Sequence, residues 1–319
     1  MSTATYDKVK DFVPEVEWPL IAGDIEAIEA LKIEHDAVIL AHNYMTPEVF
    51  HGVADIVGDS LALAREAQHV QAGTIVLAGV HFMAETAKLL NPAKRVLLPD
   101  LRSGCSLAES ITPQDVRDLR RAHPGVPVVT YVNTSAAVKA ESDITCTSGN
   151  AVKIIESLGT DKVIMIPDQY LARNIAAQTG VEVITHPGSC EVHERFTPKD
   201  IEDIRSGHPG VVVLAHPECP PEVVKVADYA GSTADMQRFV TERRPAKVAL
   251  ITECSMSDNV SADHPDIEFV RPCNLCPHMK RNTLSAIRAA LEHGQHEITV
   301  VPELAAPARR AIERMLEVR

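Results

Sequence analysis

Nine short apolar runs punctuate the chain: Ala37 to Ala41, Thr74 to Ala78, Arg95 to Leu98, Val126 to Tyr131, Lys162 to Ile166, Val181 to Thr185, Gly210 to Ala215, Lys247 to Thr252 and Ile267 to Arg271. They are continuous where a half-exposed strand would alternate, which is the pattern of strands buried on both faces. Amphipathic stretches separate most of them. Such alternation builds parallel sheets with helices on both faces, so the chain is expected to be α/β.

Laid on itself, the chain repeats. Thr112-Pro113-Gln114-Asp115-Val116 returns as Thr197-Pro198-Lys199-Asp200-Ile201, a shift of 85 residues, and His123-Pro124-Gly125-Val126 returns as His208-Pro209-Gly210-Val211 with the same shift. Thr as N-cap, Pro in the first turn and Asp at the positive helix end explain the residues, but only duplication explains their common spacing. A third copy appears at the next strand, where Ala41-His42-Asn43-Tyr44 aligns with Thr130-Tyr131-Val132-Asn133 and Ala215-His216-Pro217-Glu218. Further on stand Gly58-Asp59-Ser60, Cys146-Thr147-Ser148-Gly149 and Gly231-Ser232-Thr233. Each reads as a hydroxyl-bearing helix start, where free N–H groups can hold a carboxylate or phosphate. Ser60 lies 18 residues after His42, against 17 for the other two pairs, so a local bulge is expected near Phe50-His51-Gly52. The repeats divide the chain into 1–105, 106–190 and 191–280, with 281–319 a C-terminal segment expected to pack back on them. Trp18 is expected to dock the N-terminal segment.

Each repeat closes on a strand followed by a cysteine: Cys105, Cys190 and, 86 residues beyond the second, Cys276. Equivalent loops at the C-terminal ends of strands are where open α/β sheets place ligands, and three similar repeats would face them around an axis. Three thiolates converging there would repel unless a soft cation held them. Structural zinc wants local pairs, and only Cys273-x-x-Cys276 looks like half of one. Ferredoxin-type runs are absent. Three distant cysteines without an evident fourth fit a [4Fe–4S] cluster with one open iron, a Lewis acid. Cys146, Cys219 and Cys254 are expected to be thiols of the core or behind the site, and a Cys273–Cys276 bridge would compete with metal ligation.

Composition narrows the partners. With 31 basic and 44 acidic residues the net charge is −13, which argues against a nucleic-acid or anionic-membrane partner. The N-terminus lacks a basic region leading into an apolar run, and no run approaches the ~18 residues of a membrane span, so a cytoplasmic location is expected.

With these motifs in view, the chain resembles the quinolinate synthases of bacterial NAD biosynthesis. The matching residues are Ala41-His42-Asn43-Tyr44, Gly58-Asp59-Ser60-Leu61, Gly104-Cys105-Ser106-Leu107, Tyr131-Val132-Asn133, Thr147-Ser148-Gly149-Asn150-Ala151, His216-Pro217-Glu218-Cys219, Gly231-Ser232-Thr233 and Cys276-Pro277-His278-Met279-Lys280. The resemblance runs from about residue 20 to the C-terminus. It implies three homologous αβα sandwich domains with parallel sheets, in a pseudo-threefold triangle around a central [4Fe–4S] cluster. It implies a transferase-class condensation of iminoaspartate (iminosuccinate) with dihydroxyacetone phosphate to quinolinate, with loss of phosphate and two waters. An L-aspartate oxidase or dehydrogenase would supply the imine through transient coupling. The implied cluster ligands are Cys105, Cys190 and Cys276. The implied substrate contacts are His42, Tyr44, Ser60, Tyr131, Asn133, Ser148, His216, Glu218 and Thr233. Some relatives carry Cys-x-x-Cys-x-x-Cys at the third ligand, whereas the first of these positions is Val270 here.

Of the implied contacts, Tyr131 and Glu218 are the candidates for proton abstraction and return, with His42 and His216 able to move protons near neutrality. His51, His69, His81, His123, His193, His208 and His278 are expected to stand outside the chemistry, His193 at the surface or behind the cysteine three residues before it. Two other readings share the same residues. A [4Fe–4S] hydro-lyase of the aconitase type also needs three cysteines and an open iron, but would release no phosphate. An iron–sulfur electron-transfer or regulatory protein would need a fully ligated cluster or a DNA-binding surface.

Overall fold

The structure is a computed structural model that describes residues 3–318, without the side chains of 3–5. Its described residues form three four-stranded sheets, all parallel. The first joins β1 (Ala37–His42), β2 (Ile56–Gly58), β3 (Thr74–Ala78) and β4 (Arg95–Leu97) in the order β2-β1-β3-β4. The second joins β5 (Val128–Tyr131), β6 (Ile144–Cys146), β7 (Lys162–Ile166) and β8 (Glu182–Thr185) as β6-β5-β7-β8. The third joins β9 (Val212–Ala215), β10 (Tyr229–Ala230), β11 (Lys247–Ile251) and β12 (Glu268–Val270) as β10-β9-β11-β12. One strand order occurring three times is the fold-level counterpart of the sequence repeat. The nine apolar runs became nine of these strands. The edge strands β2, β6 and β10 are only two or three residues long, too short to carry a pattern.

The chain divides into two compact units. The first gathers Met1–Gly104, Cys254–Pro265 and Leu275–Thr299 around the first sheet. Here the helix Leu284–His293 packs on the helix Trp18–Glu34, and Trp18 sets its ring 5.0 Å from that of Tyr6. The second gathers Cys105–Glu253, Asp266–Asn274 and Val300–Arg319 around the other two sheets. Here the helix Pro302–Glu317 covers the helix Ala136–Ala140 and β6.

One aspartate does the same work in each repeat. Asp55, Asp143 and Asp228 each precede the short edge strand. Their backbone N–H groups donate to the carbonyls of Ile39, Val128 and Val213. Their carboxylates accept from the N–H groups of those same residues at 2.8, 2.7 and 2.8 Å. A cation from the preceding helix sits on each carboxylate: Lys32 at 2.7 Å, Arg120 at 2.9 Å and Arg205 at 3.0 Å. This reciprocal pair fixes where the first strand of each repeat enters its sheet.

The extra residue of the first repeat falls between β1 and β2, in the turn after the helix Pro47–Phe50. At Gly52 the backbone runs so close to its own helix that a Cβ would lie 2.1 Å from the Glu48 carbonyl oxygen, so only glycine fits. The extra residue is absorbed before pairing: His42 faces Gly58 as Tyr131 faces Cys146.

Removing the shared carboxylate should matter more than removing its cation. Asp143→Ala and Asp228→Ala should each lose about 1–2 kcal/mol, because a charge-assisted bond to a strand N–H is lost. Arg120→Met and Arg205→Met, which remove partly exposed ion pairs, should lose less than about 1 kcal/mol. Thermal and urea midpoints of the four variants check the order.

Candidate functional site

In all three sheets the residues of interest sit where the first strand of a repeat ends. In the first unit β1 ends at His42, which is buried. Its Nδ1 accepts the backbone N–H of Tyr44 at 3.2 Å, and the Tyr44 ring meets it edge-on at 4.7 Å. After β9 the same local bond recurs, with His216 Nδ1 accepting the N–H of Glu218 at 3.3 Å. Both bonds occupy Nδ1 as an acceptor, so in the neutral ring the proton stays on Nε2.

The second unit brings Tyr131, Glu218 and His216 together, as their repeat positions imply. The Tyr131 hydroxyl donates to Glu218 Oε1. Glu218 is 4% exposed, and its other oxygen lies 2.8 Å from Nδ1 of His193. His193, 1% exposed, stacks on His216 with ring centres 4.6 Å apart. Its Nε2 is 2.9 Å from Thr252 Oγ1, and its Nδ1 is 3.2 Å from Cys190 Sγ. Of the two places expected for His193, the surface is ruled out and the one behind Cys190 is found. Its equivalents in the other repeats are Ala108 and Met279, so repetition gives no sign of it. The one available signal is Cys190-x-x-His193, a spacing suited to metal ligation. Cys190, His193 and Glu218 offer ligand atoms within 4.8 Å of one another.

Burial alone would raise the Glu218 carboxyl, but the imidazoles of His193 and His216, with the Tyr131 hydroxyl, more than offset this and hold it well below the ordinary range. Asp168 moves the other way. It is 1% exposed, and burial followed by the Glu218 charge pushes it well up. One of its oxygens accepts the N–H groups of Tyr170 and Leu171, and the other has no hydrogen-bond partner among the described residues. Two carboxyls whose surroundings drive them apart are a common mark of an acid–base site. In the sequence Asp168 reads only as a helix cap.

The helix starts differ from expectation in one respect. Asp59 caps the helix Ser60–Ala67, and Ser232 caps Thr233–Arg243 in a reciprocal box with Asp235. Ser60 and Thr233 are thus first helical residues relieved of capping. Ser148 lies two residues ahead of Asn150, which stands at the N-cap position of Ala151–Ser157 without a side-chain capping bond and takes the Thr147 N–H at 2.7 Å. Asn133 keeps a buried Oδ1 with no hydrogen-bond partner among the described residues.

Seven cysteines separate into three groups. Cys146 and Cys219 are free and buried, and burial pushes both thiols up. Cys254 and Cys273 are disulfide-bonded, which corrects the expectation of a core thiol at Cys254; Cys276 is outside any disulfide, so it forms no bridge to Cys273. The remaining cysteines outside a disulfide, Cys105, Cys190 and Cys276, are the half-exposed ones. Cys105 and Cys190 lie on loops stitched by Ser106, whose hydroxyl donates to the Ser189 carbonyl and accepts the Glu191 N–H, both at 3.1 Å. Burial, then the charges of Glu218 and Cys105, push the Cys190 thiol well up. A thiolate there calls for a cation. Cys276 belongs to the first unit, where Lys280 of the same motif donates to the Tyr44 carbonyl at 2.8 Å and to the Ser255 hydroxyl at 2.6 Å.

The family described as Quinolinate synthetase A protein matches residues 26–317. The chain belongs to that family. Quinolinate synthase 2 of Mesorhizobium japonicum is 67% identical over 98% of this chain and 97% of its own length. Quinolinate synthase of Agrobacterium fabrum is 65% identical over 99% and 92%, and that of Xylella fastidiosa 66% over 98% and 92%. Among the described residues no helix is long and apolar enough to cross a membrane.

The cysteine classes predict reactivity. With the folded, cluster-free protein under a neutral-pH maleimide, Cys276 should label while Cys146 and Cys219 stay protected until denaturant is added. Peptide mass mapping before and after unfolding checks this.

Proposed function

We propose that the chain is a cytoplasmic quinolinate synthase, condensing iminoaspartate with dihydroxyacetone phosphate to quinolinate and releasing phosphate and two waters. The observation that carries this reading is the buried Tyr131–Glu218–His193 chain beside His216, in a member of a family whose relatives bear that name. Iminoaspartate is unstable in water, so an aspartate oxidase or dehydrogenase must deliver it.

The donor set suits the iron–sulfur cluster implied by the resemblance. Cys105, Cys190 and Cys276 hold equivalent repeat positions and are the half-exposed cysteines outside a disulfide, and soft thiolates are the ligands such a cluster takes. Cys105, Cys190 and Cys276 would hold such a cluster, which when bound would supply Lewis-acid chemistry toward a substrate carboxylate or departing oxygen.

The protein's own groups account for the rest. Glu218 stays ionised at neutral pH and shares one hydrogen bond with Tyr131, so proton abstraction and return take place at Tyr131 Oη and Glu218 Oε1. His193 sets its Nδ1 against the carboxylate, and His216 stacks on His193. His42 and Tyr44 are the matching pair in the first repeat. Ser60, Ser148, Thr233 and the Asn133 amide are neutral donors that hold the carboxylates and phosphate at helix starts. Burying the pair excludes water from the imine.

Anaerobic assay of the reconstituted protein for both quinolinate and phosphate tests the reading. Loss of water from a hydroxy acid without phosphate release would replace it with the hydro-lyase. Serine at Cys105, Cys190 or Cys276 should in each case abolish the broad absorption near ~400 nm and all turnover, since three ligands leave no spare. Cys146→Ser should keep both.

Tyr131→Phe and Glu218→Gln should lower turnover at least ~100-fold with the absorption intact. Near-wild-type rates in both would remove the pair from the reaction.

A further inference from the structure

Beneath the three strand-end loops lies a device used by none of the chemistry above. In the first unit the Asn259 amide nitrogen donates to two carbonyls, Asn43 at 3.0 Å and Met45 at 2.8 Å, those on either side of Tyr44. In the second unit the Asn174 amide nitrogen donates to Pro217 at 2.8 Å and Cys219 at 2.9 Å, on either side of Glu218. The Lys139 ammonium donates to Val132 at 2.8 Å and also to Thr134, on either side of Asn133. Tyr44, Asn133 and Glu218 are the equivalent residues of the three repeats. In each case a single buried nitrogen bridges the carbonyls before and after the residue that carries the functional side chain.

We propose that Asn259, Lys139 and Asn174 are positioning residues, each aiming one site side chain (Tyr44, Asn133 and Glu218) by clamping the carbonyls that flank it. The assignment of those three as site residues rests on the function proposed above. Holding the peptide group that enters a residue and the one that leaves its successor restricts the torsions between, and with them the direction of the Cα–Cβ bond.

Two observations separate this from ordinary core satisfaction. The first is that the donor changes while its target does not. Asn174 and Asn259 each lie 12 residues past the start of the third strand of a repeat, on the helix that follows it. The same place in the first repeat is Thr86, whose hydroxyl is spent on the Phe82 carbonyl of its own helix. The remaining loop is clamped by Lys139 from a different helix, at a place occupied by Phe50 and Val224 in the other repeats. A different side chain from a different element thus reaches the corresponding pair of carbonyls. The second is cost. Lys139 is fully buried, and burying an ammonium is expensive unless every proton finds a partner. A methionine would fill the space but orient nothing.

The test uses the cluster-loaded protein with Asn174→Leu, Asn259→Leu and Lys139→Met, which keep bulk and remove the donors. Hydrogen exchange read by mass spectrometry should rise in each variant's own segment: 217–219, 43–45 or 132–134. Asn174→Leu should lower kcat ~10–100-fold with KM within ~3-fold, because it disorients Glu218. Lys139→Met should raise KM ~10-fold, because it disorients a binding residue. Lys139→Gln, which keeps two N–H donors, should restore most of that KM and provides the folded comparison if Lys139→Met does not accumulate. Exchange that rises everywhere or nowhere, or local exchange with unchanged kcat and KM, would overturn the proposal. A wild-type chain that makes no quinolinate would sink the function reading instead, and the exchange pattern alone would then decide the clamp.

Discussion

The pocket of the second unit is organised around one negative charge that burial would otherwise forbid. Glu218 ionises because two imidazoles and a phenol face it, and each neighbour takes its place from that need. His193 is held between the carboxylate and Thr252, His216 is stacked on His193, and Tyr131 points its hydroxyl inward. The same charge acts on groups that do not compensate it. Added to burial, it pushes the Asp168 carboxyl and the Cys190 thiol well up. A cation bound at Cys190 would reverse the sign of that influence and let thiolate and carboxylate coexist. Electrostatics therefore couples the cysteine loop to Glu218, even though the sequence places them in separate motifs.

The three repeats share scaffolding and differ in chemistry. The aspartates at 55, 143 and 228, the strand order and the carbonyl clamps recur three times. The groups displayed at the strand ends do not. Histidine, tyrosine and histidine stand at 42, 131 and 216, and tyrosine, asparagine and glutamate at 44, 133 and 218. A common frame thus delivers different side chains to equivalent points.

Much of this was legible in the sequence, for physical reasons. Parallel strands buried on both faces write themselves as apolar runs, and duplication writes itself as recurring helix starts, so the three sheets and the loops carrying Tyr131 and Glu218 could be found. Features with no periodic signature could not. β2, β6 and β10 are too short to show a pattern. Asp59 and Ser232, not the neighbouring Ser60 and Thr233, do the capping, a choice between adjacent polar residues that only geometry makes. His193 and Asp168 gain their importance from Glu218, which is distant in sequence. Asn174, Asn259 and Lys139 look like ordinary helix residues until their carbonyl partners are seen.

The two units are interleaved along the chain, and this bears on how the protein is made. The first unit begins at the N-terminus but takes in 254–265 and 275–299. The helix Trp18–Glu34, with Ile25 and Ile28 buried, receives its packing partner Leu284–His293 only when that segment exists. In the second unit the helix Ala136–Ala140 waits for Pro302–Glu317. On the ribosome neither unit can finish its core as it emerges, so both hold apolar surface open until the segments 284–293 and 302–317 have been made. A stalled or prematurely terminated chain would release two unfinished cores, each a substrate for chaperones.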